Sequence, residues 1–167
     1  MILVSASAFC FAEEGSEKIK PNSRVGVSFG TGNNLSSELL SKHSDMKVDL
    51  FYHKTLSKYY YLSFNAGYVD CPNKNNYIPI TVGINIFYPN NYLVPYYGIE
   101  LGLSNRLNII DGRDDNHIGL LYSGRSGLYV PIPNININLG VGMIVQIATN
   151  NTGFLGFNWI ISYTLPY

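Results

Sequence analysis

The side chains able to do chemistry are few and scattered. Of three histidines, His43 and His53 have no serine and acid partners at obvious spacing. His117 is followed by Ile118 and Gly119, and Ser123 and Ser126 fall farther along on opposite faces of the same stretch. Nucleophilic hydrolysis needs a nucleophile, a base and an orienting carboxylate within hydrogen-bond reach, so these residues read as polar loop or strand-end positions and the chain as a non-enzyme. Asp111, Asp114 and Asp115 crowd the stretch RLNIIDGRDDN, Arg106 to Asn116. Carboxylates can hold a hard cation, but this spacing matches no calcium loop and Asp111-Gly112 marks a turn. A solvated charged loop is the reading taken. No catalytic residue, metal site or cofactor site is expected.

Composition narrows the class. Only 13% of residues are charged against 46% hydrophobic, with 14 Tyr and 16 Gly in 167 residues. A soluble surface is normally rich in Lys and Glu. The formal net charge is zero, so nothing tracks a phosphate backbone and nucleic acid is excluded as a partner. No apolar run approaches the ~20 residues of a spanning helix.

The first residues, MILVSASAFCFAEEGSEK, resemble the end of a secretory signal. Cys10 and Ala12 occupy small-residue positions of an A-x-A-like site, followed by Glu13 and Glu14. Rival readings are a lipoprotein site at Cys10, which Phe9 fits poorly, and a short buried first strand. The assignment is residues 1–12 as a signal remnant, 13–23 as a polar linker and 24–167 as one domain. Cleavage after Ala12 leaves Cys71 alone, with no internal disulfide.

That domain is built from two-residue alternation. Val25, Val27 and Phe29 alternate with Gly26, Ser28 and Gly30. Val48, Leu50 and Tyr52 alternate with Lys47, Asp49, Phe51 and His53. Similar runs cover 60–68, 78–88, 93–104, 118–130, 135–147 and 154–167, about eight strands in all. Most have roughly the ten residues that suit a tilted bilayer-spanning strand. Longer connections at 31–45, 70–76, 105–116 and 149–153 alternate with tight turns at 55–58, 89–91 and 131–134. An eight-stranded antiparallel up-and-down β-barrel is predicted, with both termini on the short-turn side.

One face of these strands is large and apolar; the other reads as mainly Gly, Ser, Asn and Thr. A soluble barrel would need the large face inside, where eight strands leave room only for packed side chains. The apolar face therefore goes to lipid. An open sheet cannot sit in hydrocarbon, because unpaired backbone groups cost several kcal/mol each, so the first strand must close on the eighth. The inward parity carries Lys47, Asp49, Glu100 and Arg125, which must pair or stay wet. They are expected to form a polar network filling the lumen. Tyr52, Tyr60, Tyr88 and Tyr92 fall near short-turn ends, Tyr68 and Tyr77 near long-loop ends, as an aromatic girdle would.

With this architecture the chain resembles the small eight-stranded outer-membrane barrels of Gram-negative-type bacteria, the outer membrane protein A transmembrane domain and outer membrane protein X group. The closing Tyr163-Thr164-Leu165-Pro166-Tyr167 is similar to the C-terminal signal such barrels present to the assembly machinery, alternating large apolar residues and ending in an aromatic. The resemblance implies that Tyr163, Leu165 and Tyr167 form that signal, with Pro166 a departure that costs little at a strand end. It implies a bacterial outer-membrane location. Expected partners are outer-membrane lipid (lipopolysaccharide or its equivalent), the barrel-assembly machinery and a host or surface ligand met by loops 31–45 and 105–116. A structural or surface-interaction role is expected, with a narrow channel or a lipid A-modifying enzyme as the alternatives.

Overall fold

The computed structural model describes residues 23–35, 44–71, 76–88, 92–107, 117–132, 134–150 and 152–166. Residues 1–22, 36–43, 72–75, 89–91, 108–116, 133, 151 and 167 lie outside them, and with them the segment expected to be a signal remnant at 1–12 and all of the expected linker but Ser23.

Eight strands follow in chain order: β1 (Arg24–Asn34), β2 (Asp45–Thr55), β3 (Tyr60–Asp70), β4 (Asn76–Phe87), β5 (Val94–Leu107), β6 (His117–Ile132), β7 (Ile137–Ala148) and β8 (Gly153–Thr164). Each pairs antiparallel with its neighbours, and β1 closes on β8 from Arg24↔Thr164 to Asn34↔Phe154. Closure leaves no strand edge unpaired, as a sheet in hydrocarbon requires.

Several strands extend past their periodic runs, while β7 and β8 are shorter than theirs. β1 continues past Gly30 because Thr31 and Gly32 still pair with Met46 and Asp45. β6 runs through Pro131 and Ile132, which pair with Asn138 and Ile137, so β7 begins at Ile137 and not at Ile135. The β6–β7 turn instead includes Asn134 and Asn136 at positive φ, 75° and 55°. Asparagine tolerates the left-handed region because its short side chain bonds locally. The β2–β3 turn is closed by Leu56 N–H donating to the Tyr60 carbonyl at 2.8 Å.

Alternation sets the two faces. β2 alternates buried and exposed positions along almost its whole length. The exposed set is apolar and large: Leu50, Ile99, Phe157 and Trp159 are each at least 66% exposed. A continuous apolar exterior on every strand is an interaction with lipid, not water. The chain is a membrane-spanning barrel.

Candidate functional site: a charged layer between two apolar plugs

Period-two geometry turns Lys47 and Asp49 of β2, Glu100 of β5 and Arg125 of β6 inward. β2 pairs with β1 and β3, not with β5 or β6, so Lys47 and Asp49 can meet Glu100 and Arg125 only across the lumen. They do. Arg125 Nε donates to Glu100 Oε2 at 3.1 Å, and Arg125 Nη2 lies 3.5 Å from Asp49 Oδ2. Lys47 Nζ, two residues along the same face, pairs with Asp49 Oδ1. Two cations thus balance two anions, and all four side chains are buried. A charge taken from water needs an opposite charge and hydrogen bonds on its remaining lone pairs. Glu100 has them: Thr81 Oγ1 donates to Oε2 at 2.7 Å, Asn65 Nδ2 to Oε1 at 2.9 Å and Ser63 Oγ to Oε1 at 3.3 Å. Ser28 Oγ donates to Asp49 Oδ2 at 3.3 Å.

Glycine makes room for this layer. A Cβ on Gly67 would run into the Asp49 carboxylate, and one on Gly83 would meet Cα and Cγ of Glu100 at 2.6 and 2.7 Å.

Apolar side chains pack together toward both ends of the lumen, where sequence reading placed mainly small polar ones. On the short-turn side Phe51, Tyr61, Phe87, Val94, Tyr96, Tyr129 and Ile160 pack together. Phe87 is central, its ring centroid 4.7 Å from Tyr61 and 5.6 Å from both Tyr96 and Tyr129. His53 sits inside this plug, stacked on Phe51 at 4.6 Å, with Nε2 3.1 Å from Asn85 Nδ2. The Arg24 guanidinium lies 4.9 Å above Phe87 and 5.2 Å above Tyr61, which lids the plug through cation–π attraction. On the loop side Val69, Cys71, Tyr77, Ile144 and Phe154 form the second plug. Between Arg125 and the first plug, the void bordered by His53, Asn85 and Tyr96 measures ≈ 10 Å³, no more than one water needs. The signal for the plugs was in the sequence: Phe51, Tyr61, Phe87 and Tyr96 have the same parity as the charged residues. What parity does not show is that they gather at the lumen's two ends.

Of the tyrosines assigned to the girdle, Tyr60, Tyr68, Tyr88 and Tyr92 are exposed and Tyr52 half-buried. The Tyr52 hydroxyl is 2.9 Å from Ser23 Oγ, and Asn76 Nδ2 donates to the Tyr68 hydroxyl at 2.8 Å. Tyr77 departs from the assignment. It is fully buried in the loop-side plug, because Ile78 and Ile80 take the outward parity of β4 and leave Tyr77 the inward one. At the C-terminus Tyr163 faces out from β8, and Leu165 N–H donates to the Ser23 carbonyl at 2.8 Å. Ser123 lies inside the lumen, its hydroxyl without a hydrogen-bond partner among the described residues, and Ser126 lies on the outer parity. His43 and the aspartates of the 108–116 loop lie outside the described residues.

No protein-family model and no curated sequence matches the chain. Solved structures do. Neisserial surface protein A superposes with a TM-score of 0.72 at 12% identity, over 86% of this chain and 97% of that one. The N-terminal β-barrel domain of Pseudomonas aeruginosa OprF gives 0.67 at 12% identity, over 87% and 100%. The outer membrane enzyme PagL gives 0.51 at 14%, over 84% and 99%. These likenesses are of fold: the chain is built as small eight-stranded outer-membrane barrels are.

Proposed function

Starting from a membrane barrel of this architecture, we propose that the chain resides in a bacterial outer membrane and acts there without catalysis, as a structural and surface-interaction protein. The observation that carries this reading is the packed interior. A neutral, hydrogen-bonded charge layer lies between two apolar plugs, so the interior is spent on stability and the loops are left as the part that meets other molecules. The likeness to Neisserial surface protein A supports the same role. Residues 1–12 fit as an export signal, Tyr163, Leu165 and Tyr167 as the address for the assembly machinery, and loops 31–45 and 105–116 as the surface for a host or envelope ligand.

Two measurements test it. Reconstituted into planar bilayers, the barrel should give no discrete single-channel openings; steady conductance would establish the channel reading. The likeness to the outer membrane enzyme PagL supports an enzyme as the second reading, with lipid A modification, the alternative raised by the sequence, as the chemistry to test. Expression should leave the lipid A mass spectrum unchanged, and a mass shift would overturn the non-catalytic role.

A further inference from the structure

The outer wall is not uniform. At the short-turn end of β2 and β3, Lys54 and Lys58 are both exposed. Lys58 Nζ lies 5.4 Å above the Tyr59 ring, Tyr59 is 6.5 Å from Tyr88, and Tyr88 is 6.5 Å from Tyr97. The strip runs from the turn onto the wall. Among the described residues no acidic side chain shares this end: Asp49 and Glu100 are inside, and Asp45 and Asp70 lie at the opposite ends of their strands. Beside the strip the wall carries a groove of ≈ 570 Å³. Ala66 is its floor, a small side chain set between Leu50 and Ile80, its cross-strand partners. Tyr52 and Phe64 line the side nearer the short turns, and the next outward residue of β2 beyond Tyr52 is Lys54.

A cationic, aromatic rim continuous with an apolar groove fits an amphiphile with an anionic head. We infer that this face binds an anionic phospholipid of the leaflet on the short-turn side, its phosphate at Lys54 and Lys58 and an acyl chain along the Ala66 groove. Lysine suits the position because its stem covers apolar wall while its ammonium reaches the headgroup level. Tyrosine hydroxyls at the same level supply donors to phosphate and ester oxygens. A free phosphate would leave the groove unfilled, and a cell-wall polymer has no apolar tail to fill it.

The inference rests on the membrane-barrel reading, and the experiment separates the two. Refolded protein is first checked for a heat-dependent electrophoretic shift; its absence in wild type overturns both. Folded wild type, K54Q/K58Q and A66L are then equilibrated with vesicles of palmitoyl-oleoyl phosphatidylglycerol or phosphatidylcholine, and retained lipid is read by native mass spectrometry. Wild type should retain the anionic lipid at least about fivefold over the zwitterionic one. K54Q/K58Q should lose the preference, while A66L should lower retention of both lipids. Equal retention by wild type, or an unchanged preference in folded K54Q/K58Q, overturns the site. So does binding to purified cell-wall sacculi that the double variant loses while its lipid preference stays, because the rim would then face the wall polymer.

Discussion

Arg125 joins two anions that no strand pairing brings together: its Nε is 3.1 Å from Glu100 and its Nη2 is 3.5 Å from Asp49. β6 is thereby tied to its neighbour β5 and, across the lumen, to β2. One guanidinium crosses the barrel.

Removing that group leaves two carboxylates buried with too little compensation. Arg125→Ala should cost about 3–5 kcal/mol, read as a lowered urea midpoint for loss of the folded electrophoretic form. Glu100→Gln in the Arg125→Ala background should cost less than in wild type, because the anion it removes is then unpaired. Strict additivity of the two changes would show that the pair is not coupled.

Two glycines should behave oppositely. Gly67→Ala forces a methyl into the Asp49 carboxylate and should destabilise by about 1–3 kcal/mol. Gly124→Ala meets nothing within 4 Å, and should be neutral or slightly stabilising, within about 1 kcal/mol. The same unfolding midpoints check both.

Phe87→Ala empties the centre of the short-turn plug. A buried aromatic truncated to alanine costs about 3–5 kcal/mol. If this plug is what closes the barrel, the variant should also show conductance steps that wild type lacks. Unchanged conductance would place the seal in the charged layer instead.

The lipid-facing assignment has its own test. Ile99 is 76% exposed, with Gly124 and Ile84 as cross-strand partners. On a soluble barrel Ile99→Arg would be harmless. Facing the bilayer interior it should cost about 2–4 kcal/mol, measured as the loss of folding efficiency into phospholipid vesicles.

Strand number, the direction of most strand side chains and the identity of the lipid face were legible in the sequence. The reason is geometric: a strand has a period of two, so a run such as Ile137 to Ile147 states its two faces without reference to any other strand. Burial follows from the same parity, and it would have placed Tyr77 inside had parity been weighed above its position at a strand end. Parity does not say which inward groups face each other. Lys47 and Asp49 are close in the chain, but Arg125 is far from both and on a strand that does not pair with theirs. Arg125 and Glu100 share neighbouring strands and a comparable depth that strand order already implies; only closure of β1 on β8, and the stagger the closed sheet imposes, decides that Arg125 also lies at the depth of Asp49. Closure likewise decides that Phe51, Phe87 and Tyr96 gather at one end while Val69, Tyr77 and Phe154 gather at the other. Alternation along the chain was enough for a barrel with its apolar side outward; the neutral charge layer between two apolar clusters came only with the folded molecule, because side chains that meet across a lumen are related by the curvature of the sheet and not by their spacing in the chain.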